Sequence, residues 1–329
     1  MRVVAAPDKL RGTATAREVA AAIARAAEAE GWTCDQVPMA DGGEGTLEAF
    51  GGANRTTSVT GPLGGRVDAG WRLDGRLAVI EVAQVIGLER VGGPEANDPV
   101  AAATAGVGEL IVAALDNAAT RIVVGLGGSA TTDGGLAALR AIHPLARLKG
   151  VELVAACDAM VPFLAAATEF APQKGASAAQ VELLRRRLER LAQVYRDEHG
   201  VDVLDLPGAG AAGGLGGGLA AAGADLVSGF DLLADELHLD EVMEGADLVI
   251  TAEGFLDEMS FDGKVVGGVA GLAEVLGVPV LAVAGQVLDG MEARIDAVSL
   301  VDRVGEDRAW GDTVAVIESL AREALAERG

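Results

Sequence analysis

Residues 1–46 read MRVVAAPDKLRGTATAREVAAAIARAAEAEGWTCDQVPMADGGEGT, and two periodicities alternate within them. Residues 3–6 are a short apolar run. The loop Pro7-Asp8-Lys9-Leu10-Arg11-Gly12 follows, and then Val19, Ile23, Ala26 and Ala27 recur at helical spacing. Thr15 and Glu18 have the spacing of a capping box, in which each side chain satisfies an N–H that the first helical turn leaves open, and Gly31 supplies the stop. A second strand is expected at 33–37. It ends in Pro38-Met39-Ala40-Asp41-Gly42-Gly43-Glu44-Gly45-Thr46, a glycine-rich loop that opens another helix. Strand, helix, strand in this order begins a parallel sheet, because strands of one direction need a crossover between them.

The same grammar returns at the other end. Residues 247–251 and 278–284 are apolar runs bounded by loop residues, as in buried parallel strands, and 312–327 closes the chain as a helix. Between the ends, 61–82 changes to short alternating runs with Gly61-Pro62 and Asp74-Gly75 turns, which predicts a β-rich segment and a second domain. A helix is expected at 102–114 and strands at 122–125 and 152–157. Ser177 and Gln180 form a second capping box, opening a long helix whose Arg185, Arg186, Arg187, Arg190 and Arg196 coat a solvated face. The segment 208–224 is almost wholly Gly and Ala and reads equally as a loop or a closely packed helix start. The expected class is α/β with two domains, a doubly wound parallel sheet plus a second mixed α/β domain.

Composition narrows the function. At 329 residues the chain exceeds what one core usually serves, and half of it is apolar with only 3% aromatic residues, so cores of Ala, Val and Leu are expected. A formal charge of −23 repels phosphate backbones, and no basic cluster offsets it, which excludes nucleic acid as a partner. The N-terminus reads directly as a strand rather than a leader, and no apolar run reaches membrane-spanning length, so a cytoplasmic protein without membrane contact is expected. Cys34 and Cys157 lack ligand spacing and read as reduced core residues. His143, His199 and His238 have no partners at ligand spacing and read as packing or surface residues.

In a parallel sheet, ligands gather in the loops beyond the carboxyl ends of strands. Lys9 and Arg11 follow the first strand, Asp41 and Glu44 the second, Ser129 and Asp133 the strand near 122, and Asp257 and Lys264 the strand near 247. The loop 125–135, Gly-Leu-Gly-Gly-Ser-Ala-Thr-Thr-Asp-Gly-Gly, exposes many backbone amides and reads as a phosphate cradle, against a tight turn capped by Thr132 or Asp133. Gly125, Gly127 and Ala130, and Gly208, Gly210 and Gly213, match dinucleotide fingerprints, but 46 glycines produce such matches by chance. The Walker pattern is absent, because Gly263-Lys264 is followed by Val265. Asp41 and Glu44 equally suit a helix start by charge alone, and Lys174 reads as a solvated loop lysine. Asp158, ending an apolar strand, can hold a metal or accept a hydroxyl proton.

Taken together, Ala6-Pro7-Asp8-Lys9, 39–46, 127–135, Ala156-Cys157-Asp158, Pro172-Gln173-Lys174-Gly175, 206–215, and Glu253-Gly254 followed by Asp257, Ser260 and Gly263-Lys264 resemble the bacterial glycerate kinase family nearly end to end. The resemblance implies an ATP- and Mg2+-dependent kinase acting on a hydroxyl of D-glycerate. It also implies a flavodoxin-like domain, placed at 1–56, 98–140 and 244–329, and a second α/β domain at 57–97 and 141–243. Phosphoryl transfer needs positioning and charge neutralisation. Lys9, Arg11, Glu44, Gly127, Gly128, Ser129, Thr131, Thr132, Asp133, Lys174, Glu253 and Lys264 are the candidates for substrate and phosphate. Lys9, Asp41, Asp158 and Asp257 are those for catalysis, and Asp41, Asp133 and Asp158 those for metal. Several positions depart from what such kinases usually show: Met259 stands for Gln, Ala252 for Gly, Val107 for Thr and Ile86 for Ser, and the connection from His143 to Val151 is short. A paralogue acting weakly or on another hydroxy acid stays open, as does a nicotinamide-dependent oxidoreductase, and a homodimer is the candidate assembly.

Overall fold

A computed structural model describes every residue except Arg11, Asp158 and Asp262. The chain divides into two units, 1–41 with 230–329, and 42–229. Numbered along the chain, the strands of the first unit are β1 (Arg2–Ala5), β2 (Thr33–Gln36), β9 (Leu248–Leu256), β10 (Val280–Val287) and β11 (Ala297–Ser299). Those of the second are β3 (Arg55–Thr60), β4 (Arg66–Asp74), β5 (Leu77–Glu81), β6 (Arg121–Leu126), β7 (Glu152–Cys157) and β8 (Asp225–Ser228).

In the first unit the order is β11-β10-β9-β1-β2 and every neighbouring pair is parallel. Counted within the unit this is 2-1-3-4-5, the flavodoxin-like order, whose direction of winding reverses between β1 and β9. The helix Ala16–Ala29 opens on the capping box, with Glu18 N–H donating to Thr15 Oγ1 at 3.2 Å and Thr15 N–H to Glu18 Oε2 at 2.9 Å. Its Val19 and Ile23 pack with Val316 and Ile317 of the closing helix Thr313–Ala326 against Val3, Leu248 and Ile250. Leu256, Val266, Ala282 and Met291 form a smaller cluster.

The second sheet runs β3-β4-β5-β6-β7-β8, antiparallel from β3 to β5 and parallel from β5 to β8. The β-rich reading of 61–82 therefore belongs to one edge of a mixed sheet. The domain division falls elsewhere than the sequence suggested. Residues 98–140 were expected with the first domain, but Leu77–Glu81 pairs residue for residue with 121–125, which fixes β6 inside the second sheet. Conversely, the helices Gly229–Glu236 (but for Gly229) and Leu239–Met243 lie in the first unit. Repeating strand-helix units look alike in either sheet, and only pairing assigns them.

Val107 and Ile86 are fully buried beside Trp71, Ile80 and Ile122 in the core of the second unit. Their apolar character is thus absorbed by packing. The Gly/Ala segment is the helix Ala211–Ala221, left-handed at Ala212, Gly213 and Gly214 and buried throughout. A Cβ on Gly213 would lie 1.8 Å from the Thr131 carbonyl oxygen, so glycine is required by close approach as well as by its φ of +75°. Cys34 is half-buried and Cys157 buried. Among the described residues no helix is long and apolar enough to cross a membrane.

Candidate active site

The first unit gathers its acids at the winding reversal. Beyond β1 the chain keeps pairing with β9, as Ala6 N–H donates to the Ile250 carbonyl and Asp8 N–H to the Ala252 carbonyl, both at 2.9 Å. Asp8 is thereby set at the level of Glu253. Met39 N–H donates to the Pro7 carbonyl at 2.9 Å and draws the tail of β2 alongside. Lys9 Nζ lies 3.6 Å from Asp8 Oδ1 and 4.0 Å from Asp41 Oδ1, and the Lys9 N–H donates to Asp8 Oδ1 at 2.7 Å. Burial pushes the Asp8 carboxyl up to about 7; the Lys9 charge opposes this and Asp41 adds to it.

Glu253, 8% exposed on β9, is likewise pushed to about 7, first by burial, with the Ser260 hydroxyl and Lys264 pulling down and Asp8 and Asp257 adding to the rise. Among the described residues its Oε1 has no hydrogen-bond partner. Asp257 is engaged locally, since Ser260 N–H donates to Asp257 Oδ1 at 3.1 Å and Asp257 N–H to Ser260 Oγ at 3.0 Å, closing the turn Glu258–Phe261. Lys264 is the N-cap residue of the helix Val265–Leu276. Met259 is 63% exposed and so does not fill a core.

The second unit builds the glycine loop. Leu88 N–H donates to the Gly128 carbonyl at 2.9 Å and Ala130 N–H to the Ile86 carbonyl at 2.7 Å, strapping the loop across Ser129. Lys174 is not solvated. It is 5% exposed, and its Nζ donates to Ser129 Oγ at 3.0 Å and to the Thr131 carbonyl at 2.8 Å. Asn97 Nδ2 donates to the carbonyls of Ala130 (3.0 Å) and Lys174 (2.9 Å), tying the lysine segment to the loop. Asn97 Oδ1, Thr131 Oγ1 and Thr132 Oγ1 are buried without partners among the described residues. Buried polar atoms are nearly always paired, so these three call for partners that the described residues do not supply.

Asp133, a candidate metal ligand in the sequence, is occupied as a cap. Its carboxylate accepts from Thr104 N–H (3.0 Å), Thr104 Oγ1 (2.9 Å), Gly135 N–H (3.1 Å) and Ala137 N–H (3.3 Å), while burial still pushes its pKa up. With four donors already on two oxygens, it holds the loop to the helix Leu136–Ile142. Glu44 lies against the loop, because a Cβ on Gly128 would fall 2.4 Å from its Oε1. Gly127 belongs to the same turn after β6. In the fingerprint at 208–213, a Cβ on Gly210 would meet the Pro162 carbonyl at 2.3 Å, so these glycines serve packing. Arg11 and Asp158 lie outside the described residues.

Sequence reasoning passed over Asp8, Glu81 and Asn97. Glu81, buried at the end of β5, accepts from Gly45 N–H at 3.1 Å and Leu47 N–H at 3.0 Å and so fixes the glycine loop around Glu44; burial raises its pKa. An acid closing an apolar strand was the available signal for it. Asn97, in irregular chain far from any motif, offered none.

A sequence profile of the Glycerate kinase family matches residues 3–145 and 143–326, the two segments meeting at the short connection after His143. Glycerate 2-kinase of Escherichia coli is 39% identical over 351 residues, covering 93% of this chain and 92% of that protein. Glycerate kinase of Halalkalibacterium halodurans is 36% identical over 366 residues, covering 97% and 96%. A Salmonella typhimurium crystal structure, itself provisionally assigned as glycerate kinase 2, superimposes with a TM-score of 0.81 at 35% identity, covering 100% of this chain and 98% of that one. With its paired sheets and with the family's motifs set at strand ends, this chain belongs to the Glycerate kinase family.

Proposed function

We propose that this protein transfers the γ-phosphoryl group of ATP to a hydroxyl of D-glycerate, giving phosphoglycerate and ADP. The observation that carries the reading is the location of unsatisfied polarity. Every buried side-chain oxygen without a partner among the described residues lies on or against the motif loops, at Glu253, Asn97, Thr131 and Thr132. Glu253 Oε1 is an acceptor awaiting a donor, and a carboxyl held near 7 is suited to take a hydroxyl proton at neutral pH. Its role is proton acceptor: the substrate oxygen bonds to the γ-phosphorus as the bond to the ADP oxygen breaks, and the proton passes to the carboxylate.

Asp41 and Asp8 are two oxygen donors flanking one lysine, a set that suits Mg2+, which takes one or two carboxylates beside phosphate and water. Burial strains the charge on Asp8, and a divalent cation would relieve it. When bound, the cation neutralises phosphate charge. Lys9 and Lys264 supply fixed positive charge in the first unit. In the second, the loop 127–135 with Lys174 presents hydroxyls and amides for oxyanions. With ATP as phosphoryl donor, we infer a cytoplasmic location.

The test is a coupled ADP-release assay across short hydroxy acids with and without chelator. Turnover with D-glycerate that stops on removing Mg2+ is expected. ADP release that is indifferent to every hydroxy acid, or to metal, defeats the proposal; release only with another acid replaces the substrate and keeps the kinase.

A further inference from the structure

An apolar patch stands at the carboxyl end of β9 and β10, beginning two residues after Glu253. Phe255 is 55% exposed and is the only aromatic among the exposed large apolar side chains of the described residues; Met259 and Leu288 are two of the others. Phe255 is the penultimate residue of β9, Met259 lies in the turn Glu258–Phe261 that follows it, and Leu288, just past β10, is tied to β9 by its N–H, which donates to the Leu256 carbonyl at 3.0 Å. The chain has ten aromatic residues in all, Phe 6, Trp 3 and Tyr 1, and Trp71, Tyr195, Phe163, Trp32 and Phe230 are buried. Exposing a phenyl ring here runs against that use.

The ring is also held. Phe255 and Trp310 lie 5.8 Å apart between centroids at 36°, and the indole rests on glycine: a Cβ on Gly285 would meet Trp310 Cη2 at 2.3 Å. Ring and indole pack as a tilted pair, with the indole seated against Gly285. In a parallel sheet this end of the strands is the ligand end.

Resting on the kinase reading above, we propose that Phe255, backed by Trp310, is the stacking platform for the purine of the nucleotide. The chemistry selects the occupant. Glycerate is a three-carbon hydroxy acid without an apolar face, whereas the nucleotide carries one planar heteroaromatic ring, and a base stacks on an exposed aromatic side chain irrespective of its hydrogen-bonding edge. Met259, 63% exposed and with a polarizable thioether, adds an adaptable apolar side chain.

Calorimetric titration of the full chain with MgADP and with magnesium tripolyphosphate, which lacks a base, tests this. Phe255→Ala is expected to weaken MgADP binding about five- to a hundredfold. Tripolyphosphate affinity and the KM for glycerate should stay within about twofold, and Phe255→Tyr should behave as wild type. Phe255→Leu keeps apolar volume without a π face and serves if the alanine variant folds poorly; an intermediate loss is expected. Unchanged MgADP affinity in the alanine and leucine variants, equal weakening of ADP and tripolyphosphate, or no MgADP binding by wild type overturns the platform. A wild-type protein that binds MgADP through Phe255 yet releases no ADP with any hydroxy acid refutes the kinase reading and leaves the platform standing.

Discussion

In the role proposed for it, Glu253 would set stability against activity. Its native pKa lies above the ordinary carboxylate value, so the folded chain holds this proton more tightly than the unfolded one. Stability from this group is present below the unfolded value of about 4.5 and is lost as pH rises toward about 7. On the proposed role activity should run the other way, because a proton acceptor must be ionised. Glu253→Gln is expected to lower kcat by about a hundredfold or more and to raise the melting temperature at pH 8 relative to wild type. The difference should shrink at pH 5, where the wild-type carboxyl is protonated. Melting and rate profiles over pH 5–9 check this; a rate close to wild type would move the proton to Asp8.

At the scale of elements, the left-handed start of the helix Ala211–Ala221 holds the glycine loop in shape. Gly213 packs on Thr131, the Gly213 carbonyl accepts from Gly134 N–H at 3.0 Å, and Tyr195 Oη donates to the Gly134 carbonyl at 2.8 Å. Gly213→Ala adds both backbone strain and a clash with a carbonyl. A loss of about 2–4 kcal/mol and at least about tenfold in kcat/KM is expected. Gly223 also has positive φ, +96°, but open space around its Cβ. Gly223→Ala should therefore cost only about 1–2 kcal/mol and leave kinetics intact. Denaturant melts and steady-state kinetics of the pair separate the two causes, and equal effects would show that packing against Thr131 is unimportant to the loop.

For the whole molecule, a ligand that binds only the folded chain stabilises it by mass action. MgATP at a hundred times its dissociation constant should add about 2.7 kcal/mol to whatever binds it, and tripolyphosphate at its own saturation should do the same. Chelating Mg2+ should remove most of either shift, since the Asp8–Asp41 pair would then face phosphate unscreened. Differential scanning calorimetry reads both; a shift untouched by chelator would take the metal away from this pair. The −23 charge makes such measurements sensitive to salt, so ionic strength is held constant.

The features legible in the amino-acid order are the local ones. The two capping boxes formed as spaced, because a Thr15–Glu18 or Ser177–Gln180 pair satisfies its own backbone within one turn. Apolar runs became strands for the same reason: alternation and burial are written in consecutive residues. The motif loops were legible because glycines cluster with Ser, Thr and Asp only where backbone must bend close to something. Folding settled the rest. It moved β6 into the second sheet through its pairing with β5, buried Lys174 against Ser129 and Thr131, tied the Asp133 carboxylate to Thr104, Gly135 and Ala137, and brought Asn97 to the loop from 33 residues away. Each of these depends on which distant atoms desolvate a group or accept its hydrogen bonds, and no spacing along the chain encodes that.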